Sequence, residues 1–285
     1  MKITTICMLG GTGFVGRHLL QKLVAGGYSL RVLTRHRERH RDLLVLPTLN
    51  LIEADVYDVN VLTKHFSGCD AVINLVGILN EKGHDGSGFQ RAHVELPRKV
   101  VQACETRGIK RLLHMSALNA DAKSGSSHYL RSKGAGEDLV HGALGLRVTS
   151  FRPSVIFGPH DSFFNRFAAL LKRIPFAFPL ACPDAGFAPV YVGDVTNAFM
   201  QALTRPTAFG RRYDLCGPTV YTLQELVEYT ARVIGVKRRV IGLNDKLSHL
   251  QARIFEWLPG KPFSLDNYHS LQTDSVCRGC IFPTD

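Results

Sequence analysis

The sequence has no apolar run of about 18 residues or more, so none of its helices is expected to span a membrane. Internal repeats and low-complexity stretches are also missing, which excludes solenoid and fibrous architectures. Its seven cysteines, at 7, 69, 104, 182, 216, 277 and 280, are odd in number and irregularly spaced. They are not expected to build a disulfide framework, and they fit a reducing compartment. Cys277 and Cys280 form a single C-x-x-C pair, which cannot fill a tetrahedral zinc site. No metal is therefore expected, and both are read as ordinary cysteines near a loose tail. Acidic residues are the scarcer charge, 24 against 35 Lys and Arg, for a net charge of +11. Part of the excess sits in Arg35-His36-Arg37-Glu38-Arg39-His40-Arg41. This run has no interleaved aromatics and no accompanying nucleic-acid motif, so nucleic acid is not an expected partner, while an anionic membrane surface stays open.

What is present describes an ordinary globule: 285 residues, 45% hydrophobic and 21% charged, enough for one large domain and a smaller lobe. Apolar runs at Ile3–Leu9, Leu30–Leu33, Asn50–Ala54, Ala71–Val76, Lys110–Met115 and Leu146–Phe151 read as strands. Helical patterns at 14–26, 58–67, 88–107 and 129–142 separate most of them. Strands alternating with helices predict an α/β fold, a Rossmann doubly wound parallel sheet with a small C-terminal substrate lobe. The expected division is 1–155, rejoined by 188–216, for the Rossmann domain, and 156–187 with 217–285 for the lobe. Beyond Phe151, helices are expected at Phe163–Ile174, Asp194–Leu203, Leu223–Ile234 and Lys246–Leu258. The last aligns Leu247, Leu250, Ile254, Trp257 and Leu258 on one face before Pro259 stops it, and the simplest role for that face is packing within the lobe. A docking surface is the other reading. The chain opens straight into its first strand, which leaves no room for a cleaved signal, and its Thr284-Asp285 ending suggests that the natural C-terminus lies further on.

Gly10-Gly11-Thr12-Gly13-Phe14-Val15-Gly16 follows the first strand and opens the first helix. Strand, glycine turn and helix are the context of a dinucleotide cradle. Glycines let the backbone approach a pyrophosphate, and exposed N–H groups at the helix start stabilise the anion. The alternative is a tight turn with no ligand. In an open parallel sheet the ligand crevice lies beyond the strands' C-terminal ends, which directs attention to Arg35, Asp55, Gly77 and Ser116. NAD-preferring sheets end strand two in a carboxylate that binds the ribose diol. Here Arg35 stands there, and an arginine can fork onto a 2′-phosphate. NADP(H) is therefore the expected cofactor, with NAD(H) also open, and a solvated charged loop is the competing explanation. Asp55 and Val56 are placed to bind adenine, and Leu75, Val76 and Gly77 to line the cofactor.

Tyr129 and Lys133 are four residues apart and share a helix face. An ammonium beside a phenol favours phenolate, so Lys133 is expected to lower the Tyr129 pKa and make it an acid/base for hydride chemistry. Lys133 is also assigned to the nicotinamide ribose, and Ser116, at the end of strand five, to polarising a substrate oxygen.

These motifs resemble the short-chain dehydrogenase/reductases of extended or atypical type, from Met1 to about Pro262. Arg152-Pro153-Ser154-Val155-Ile156-Phe157-Gly158-Pro159 and Val190-Tyr191-Val192-Gly193-Asp194-Val195 also match, and the resemblance implies that Pro153 and Val155 line the cofactor. More narrowly, His114-Met115-Ser116-Ala117-Leu118-Asn119-Ala120 and Tyr129–Lys133 resemble the NAD(P)H-binding accessory subunit of respiratory complex I and its bacterial relatives. The wider family implies an oxidoreductase acting on a small-molecule carbonyl, quinone or sugar nucleotide in the cytoplasm. The narrower group implies an accessory or assembly protein, dinucleotide-loaded without turnover, peripheral at the inner membrane with a respiratory-complex partner. An epimerase or dehydratase is less favoured, because the Val-Tyr-Gly segment usual after the strand-five serine is replaced by Ala117–Lys123. A sugar nucleotide would also need cations in the lobe, which Arg211, Arg212, Arg238 and Arg239 would have to supply.

Overall fold

The computed structural model describes residues 2–258, 261–279 and 281–282. Seven parallel strands form one sheet: β1 (Thr5–Leu9), β2 (Ser29–Thr34), β3 (Leu49–Glu53), β4 (Ala71–Asn74), β5 (Arg111–Met115), β6 (Arg147–Pro153) and β7 (Arg211–Leu215). Their spatial order is β7-β6-β5-β4-β1-β2-β3. The order reverses between β1 and β4, so the crevice opens above these two neighbours. Helices cover both faces, which is why β4 and β5 are buried along their whole length. On one face Leu19, Leu20 and Leu23 of α1 (Phe14–Ala25) meet Phe199 of α6 (Val192–Thr204) over Met8 and Phe151. On the other, α2 (Val59–Phe66), α3 (Leu96–Arg107) and α4 (His128–His141) bury Leu62, Val100 and Val140 over Cys7 and Val72. A third apolar cluster joins Leu171 of α5 (Phe163–Arg173) and Val227 of α7 (Leu223–Val233) to Phe178, Leu180 and Phe187.

The 88–107 pattern does not fold as one regular helix. A single turn, Ser87–Gln90, widens into a π-helical turn, Arg91–Glu95, before α3 begins. Pro97 is the physical cause: it has no N–H to give the carbonyl four residues back, and its ring crowds that carbonyl, which belongs to His93. α4 passes so close there that a β-carbon on Gly136 would stand 1.8 Å from the freed oxygen.

Two expectations about the C-terminal region are corrected. Helix α8 (Asp245–Phe255), capped by Asn244, turns Ser248 and Ala252 inward. The aligned Leu247, Leu250, Ile254, Trp257 and Leu258 are exposed rather than packed within the lobe. Small residues suffice for the inward contact, so periodicity alone misassigned the buried face. Nor is the tail loose. Cys277 is bonded to Cys216, 61 residues away, with the Cα atoms 6.0 Å apart. Ser275 pairs with Gly186 and Ala188, and the Gly279 N–H donates to Asp214 at 2.9 Å. Phe282 is buried against Phe151 and Tyr213. The spacing of these cysteines carries no signal, because it is the tail's return to β7 that makes them neighbours. Cys7, Cys69, Cys104 and Cys182 are free. Cys280, the Pro259 helix stop and the Thr284-Asp285 ending lie outside the described residues.

Closing a loop of this length restricts the unfolded chain. The double variant Cys216→Ala/Cys277→Ala should lose about 2–4 kcal/mol of stability in urea denaturation. Equal midpoints with and without a reductant would show that the bridge contributes nothing.

Candidate functional site

The glycine turn divides its work among its members. Gly10 has φ +77°, and a β-carbon on it would come within 2.9 Å of the Leu75–Val76 backbone, so it lets β1 and β4 end side by side. Gly16 brings α1 down onto the turn, where a β-carbon would lie 2.4 Å from the Gly10 oxygen. Gly13 is different. It is exposed and caps α1 without a side-chain partner, and a β-carbon there would meet only the Gly10 oxygen, at 3.4 Å. Gly13 is thus not demanded by the protein's own packing, and the space above it suits an anion at a helix start. Thr12 and Phe14 flank it, while Val15 packs onto the core.

At the end of β2, Arg35 is exposed, and its side chain makes no hydrogen bond or ion pair with a described residue; the same holds for Arg39. The rest of the basic run is partly neutralised locally. Arg37 and Arg41 pair with Glu38, and Arg17 of α1 pairs with Asp42 while bonding the Thr12 carbonyl at 3.1 Å. Beyond β3, the exposed Asp55 accepts the Tyr57 N–H at 2.9 Å and Val56 is buried. Beyond β4, Asn74 accepts the Val76 N–H, and Leu75 and Val76 are half-buried.

The ends of β4 and β5 converge on Lys133. Its ammonium donates to the Met115 carbonyl at 3.1 Å, and a β-carbon on Gly77 would stand 2.9 Å from it. Burial pulls its pKa down from 10.5 to about 8, partly opposed by Glu137. Burial first, and then the Lys133 charge, hold His93 and His114 neutral, with pKa values of about 2 and about 3. Next to Met115, Ser116 is 2% exposed, and its hydroxyl has no hydrogen-bond partner among the described residues. A buried hydroxyl left unpaired is costly unless something else completes it.

Tyr129 departs from expectation. Its phenol pKa is pushed up, first by burial and then by the Asp266 carboxylate, whereas Lys133 was expected to pull it down. The ammonium is spent on Met115, and the Tyr129 ring stands edge-on to His93 at 5.5 Å and Phe89 at 6.0 Å. A phenol so placed is neutral at ordinary pH.

Several residues of this region escaped the sequence reading. His93 accepts the Ile78 N–H at 3.1 Å through Nε2, so Nδ1 carries the proton and donates to Ser132, which in turn donates to the Tyr129 carbonyl. Pro97, four residues on, was the available signal. Asp266, in α9 (Leu265–Leu271), accepts the N–H groups of His128 and Tyr129 at 2.6 and 3.2 Å from a distant part of the chain. Glu137 is fully buried between Arg152 and Arg212. A cavity of about 230 Å³ lies against the first turn of α9, lined by Asn80, Glu81, His84, Phe89, His128 and Asp266 among others. Pro153 ends β6 and Val155 lies two residues beyond it: the Pro153 oxygen accepts the Leu118 N–H at 3.1 Å and the Val155 oxygen the Val190 N–H at 2.9 Å.

A family model described as the NAD dependent epimerase/dehydratase family matches residues 6–216. Over 98% of the chain and 73% of the relative, the sequence is 33% identical to the mitochondrial NADH dehydrogenase [ubiquinone] 1 alpha subcomplex subunit 9 of Mus musculus. It is 29% identical to a ceramide reductase of Caulobacter vibrioides, over 84% of the chain and 74% of that protein. In fold it is similar to the UDP-glucose 4-epimerase of Thermus thermophilus in complex with NAD, with a TM-score of 0.71 at 20% identity, covering 94% of this chain and 99% of that one.

Two outcomes follow from this geometry. Gly13→Val should leave thermal unfolding of the ligand-free protein nearly unchanged and remove the stabilisation that an added nicotinamide dinucleotide gives the parent, whereas Gly16→Ala should destabilise the fold by roughly 1–3 kcal/mol or more. For Lys133 the folded pKa lies below the unfolded one, so between pH 8 and 10.5 the unfolded chain holds more protons and stability rises with pH. Lys133→Met should remove that rise and add on the order of 1–3 kcal/mol near neutral pH, read by chemical denaturation across the pH range. A variant with the parent's pH profile would show that the ammonium is not buried.

Proposed function

The chain belongs to the NAD dependent epimerase/dehydratase family, and on that basis we propose that it is an NADP(H)-binding oxidoreductase of short-chain dehydrogenase type, acting on a small-molecule carbonyl or the matching alcohol. The observation that carries this reading is the unpaired, buried Ser116 hydroxyl beside the buried Lys133 ammonium, at strand ends above a glycine turn with room for an anion. The domain from 1–155 with 188–216 holds the dinucleotide, and 156–187 with 217–285 shapes the substrate side. Gly10 to Gly16 hold the pyrophosphate, and Arg35 with Arg39 takes the 2′-phosphate. Asp55 and Val56 bind adenine. Leu75, Val76, Gly77, Pro153 and Val155 wall the nicotinamide half, and Lys133 donates to its ribose hydroxyls. The nicotinamide supplies the hydride when bound. Ser116 donates a hydrogen bond to the carbonyl oxygen and holds it in place. The neutral Tyr129 phenol gives its proton to that oxygen and takes it back in the reverse direction. The protein works in the cytoplasm in this reading.

A second reading is favoured by the alignment, across nearly the whole chain, with a protein named as a subunit of NADH dehydrogenase. Here the chain is a dinucleotide-stabilised accessory or assembly protein of a respiratory quinone enzyme, peripheral at the inner membrane, in which the cofactor is bound and not consumed. The raised Tyr129 pKa fits a site without turnover equally well. A sugar-nucleotide substrate has less support. Of the cations it would use, Arg212 lies on β7 of the sheet and is tied to Glu137 and Asp138, and Arg238 is tied to the Leu171 and Ile174 carbonyls.

Arg35→Glu should weaken NADPH far more than NADH, by on the order of 1.5–3 kcal/mol for one charge-assisted phosphate contact, measured by calorimetry. Equal affinity of the parent for both cofactors would remove the basis for NADP(H). Tyr129→Phe should lower turnover about 10²–10⁴-fold with cofactor affinity nearly unchanged. If the parent holds NADPH stoichiometrically and reduces no quinone, ketone or sugar nucleotide, the accessory reading replaces the enzymatic one.

A further inference from the structure

We infer that the outward face of α8 is a docking surface for an anionic lipid bilayer. The inference is independent of which reading of the dinucleotide site holds. Leu247, Leu250 and Ile254 recur at helical spacing, and a tighter turn continues the helix through Trp257 and Leu258. The four aliphatic side chains are 44 to 54% exposed, and Trp257 is 81% exposed. Single exposed apolar residues need no explanation, but five in one stripe mark an interaction site.

Charge identifies the occupant. Lys246 lies one helical turn before Leu250, and Arg253 lies one turn after Leu250 and one before Trp257, so both cations border the stripe, and both are exposed. The acidic side chains of the same segment are engaged elsewhere. Asp245 accepts the Tyr268 hydroxyl at 2.6 Å, and Glu256 pairs with His84 at 3.0 Å while only 13% exposed. What faces outward is therefore an apolar stripe with a cationic edge. A helix of that kind lies in the plane of a bilayer interface, its aliphatic side chains among the acyl chains, its lysine and arginine at anionic headgroups and its tryptophan at the boundary. A second copy meeting this helix face to face would bring the same two cations and no free carboxylate to match them, because Asp245 and Glu256 are committed. No helix among the described residues is long and apolar enough to cross a membrane.

Trp257 is the chain's one tryptophan, so its fluorescence reports on this face alone. The full chain is mixed with vesicles of phosphatidylcholine, or of phosphatidylcholine with phosphatidylglycerol, at low salt. The anionic vesicles should shift Trp257 emission to the blue, and brominated acyl chains should quench it. Lys246→Gln and Arg253→Gln should each weaken partitioning about 5-fold, and salt should weaken it further. Leu250→Asp, at an exposed position, should abolish quenching with the parent's thermal stability retained. Vesicles that bind without quenching Trp257 are held by another part of the chain, and that outcome overturns the inference. So does equal binding to neutral and anionic vesicles, or a dimer seen by sedimentation in which Trp257 becomes buried.

Discussion

One buried ammonium sets the terms for the centre of the crevice. Lys133 is 5% exposed and has a backbone carbonyl as its hydrogen-bond partner, so its charge must be tolerated by everything around it. Gly77 leaves it room, because a β-carbon there would intrude on the ammonium. His93 and His114 stay neutral beside it. Glu137, one turn further along α4, opposes the depression of its pKa, and that carboxylate is itself held in the interior by Arg152 and Arg212. A buried charge is weak evidence for stability and better evidence for a site that needs it. The adjacent Ser116 hydroxyl, buried and unpaired, points the same way.

The approach of α4 to this centre depends on two backbone features. Pro97 frees the His93 carbonyl from regular helical bonding, and Gly136 allows α4 to pass directly against it. The His93 imidazole then links the Ile78 N–H to Ser132, and through it to the Tyr129 carbonyl, so the loop after β4 and the first turn of α4 are held in register. Asp266 fastens the same turn from the opposite side by taking the N–H groups of His128 and Tyr129. The position of Tyr129 is thus set by contacts on both sides of its helix. Its raised pKa comes from that enclosure and from the Asp266 carboxylate.

The basic run after β2 separates into parts with different roles. Glu38 takes up Arg37 and Arg41, and Asp42 takes up Arg17, leaving Arg35 and Arg39 exposed with no carboxylate partner among the described residues. The net charge of +11 is therefore a poor guide to partners by itself. What counts is which cations already have a carboxylate nearby. The same logic applies to α8, where the engaged Asp245 and Glu256 leave Lys246 and Arg253 to define the face.

Local patterns made much of the architecture legible. Alternating apolar runs and helical periodicities located the first six strands of the sheet to within a few residues, because a parallel strand covered on both sides must be apolar along its length. The glycine turn was legible because its spacing and flanks answer a local backbone need, as Gly10 with φ +77° illustrates. Composition and period could not decide matters that depend on distant residues meeting. The pairing of Cys216 with Cys277 arises only when the tail returns along β7. The Lys133 ammonium turns to Met115 because β5 ends beneath it, so a four-residue spacing correctly placed Tyr129 and Lys133 on one helix and mispredicted their electrostatic coupling. The α8 stripe has helical spacing whether it faces a core or a solvent. The sequence determined that the stripe exists; the lobe, by accepting Ser248 and Ala252 instead, decided that it is exposed.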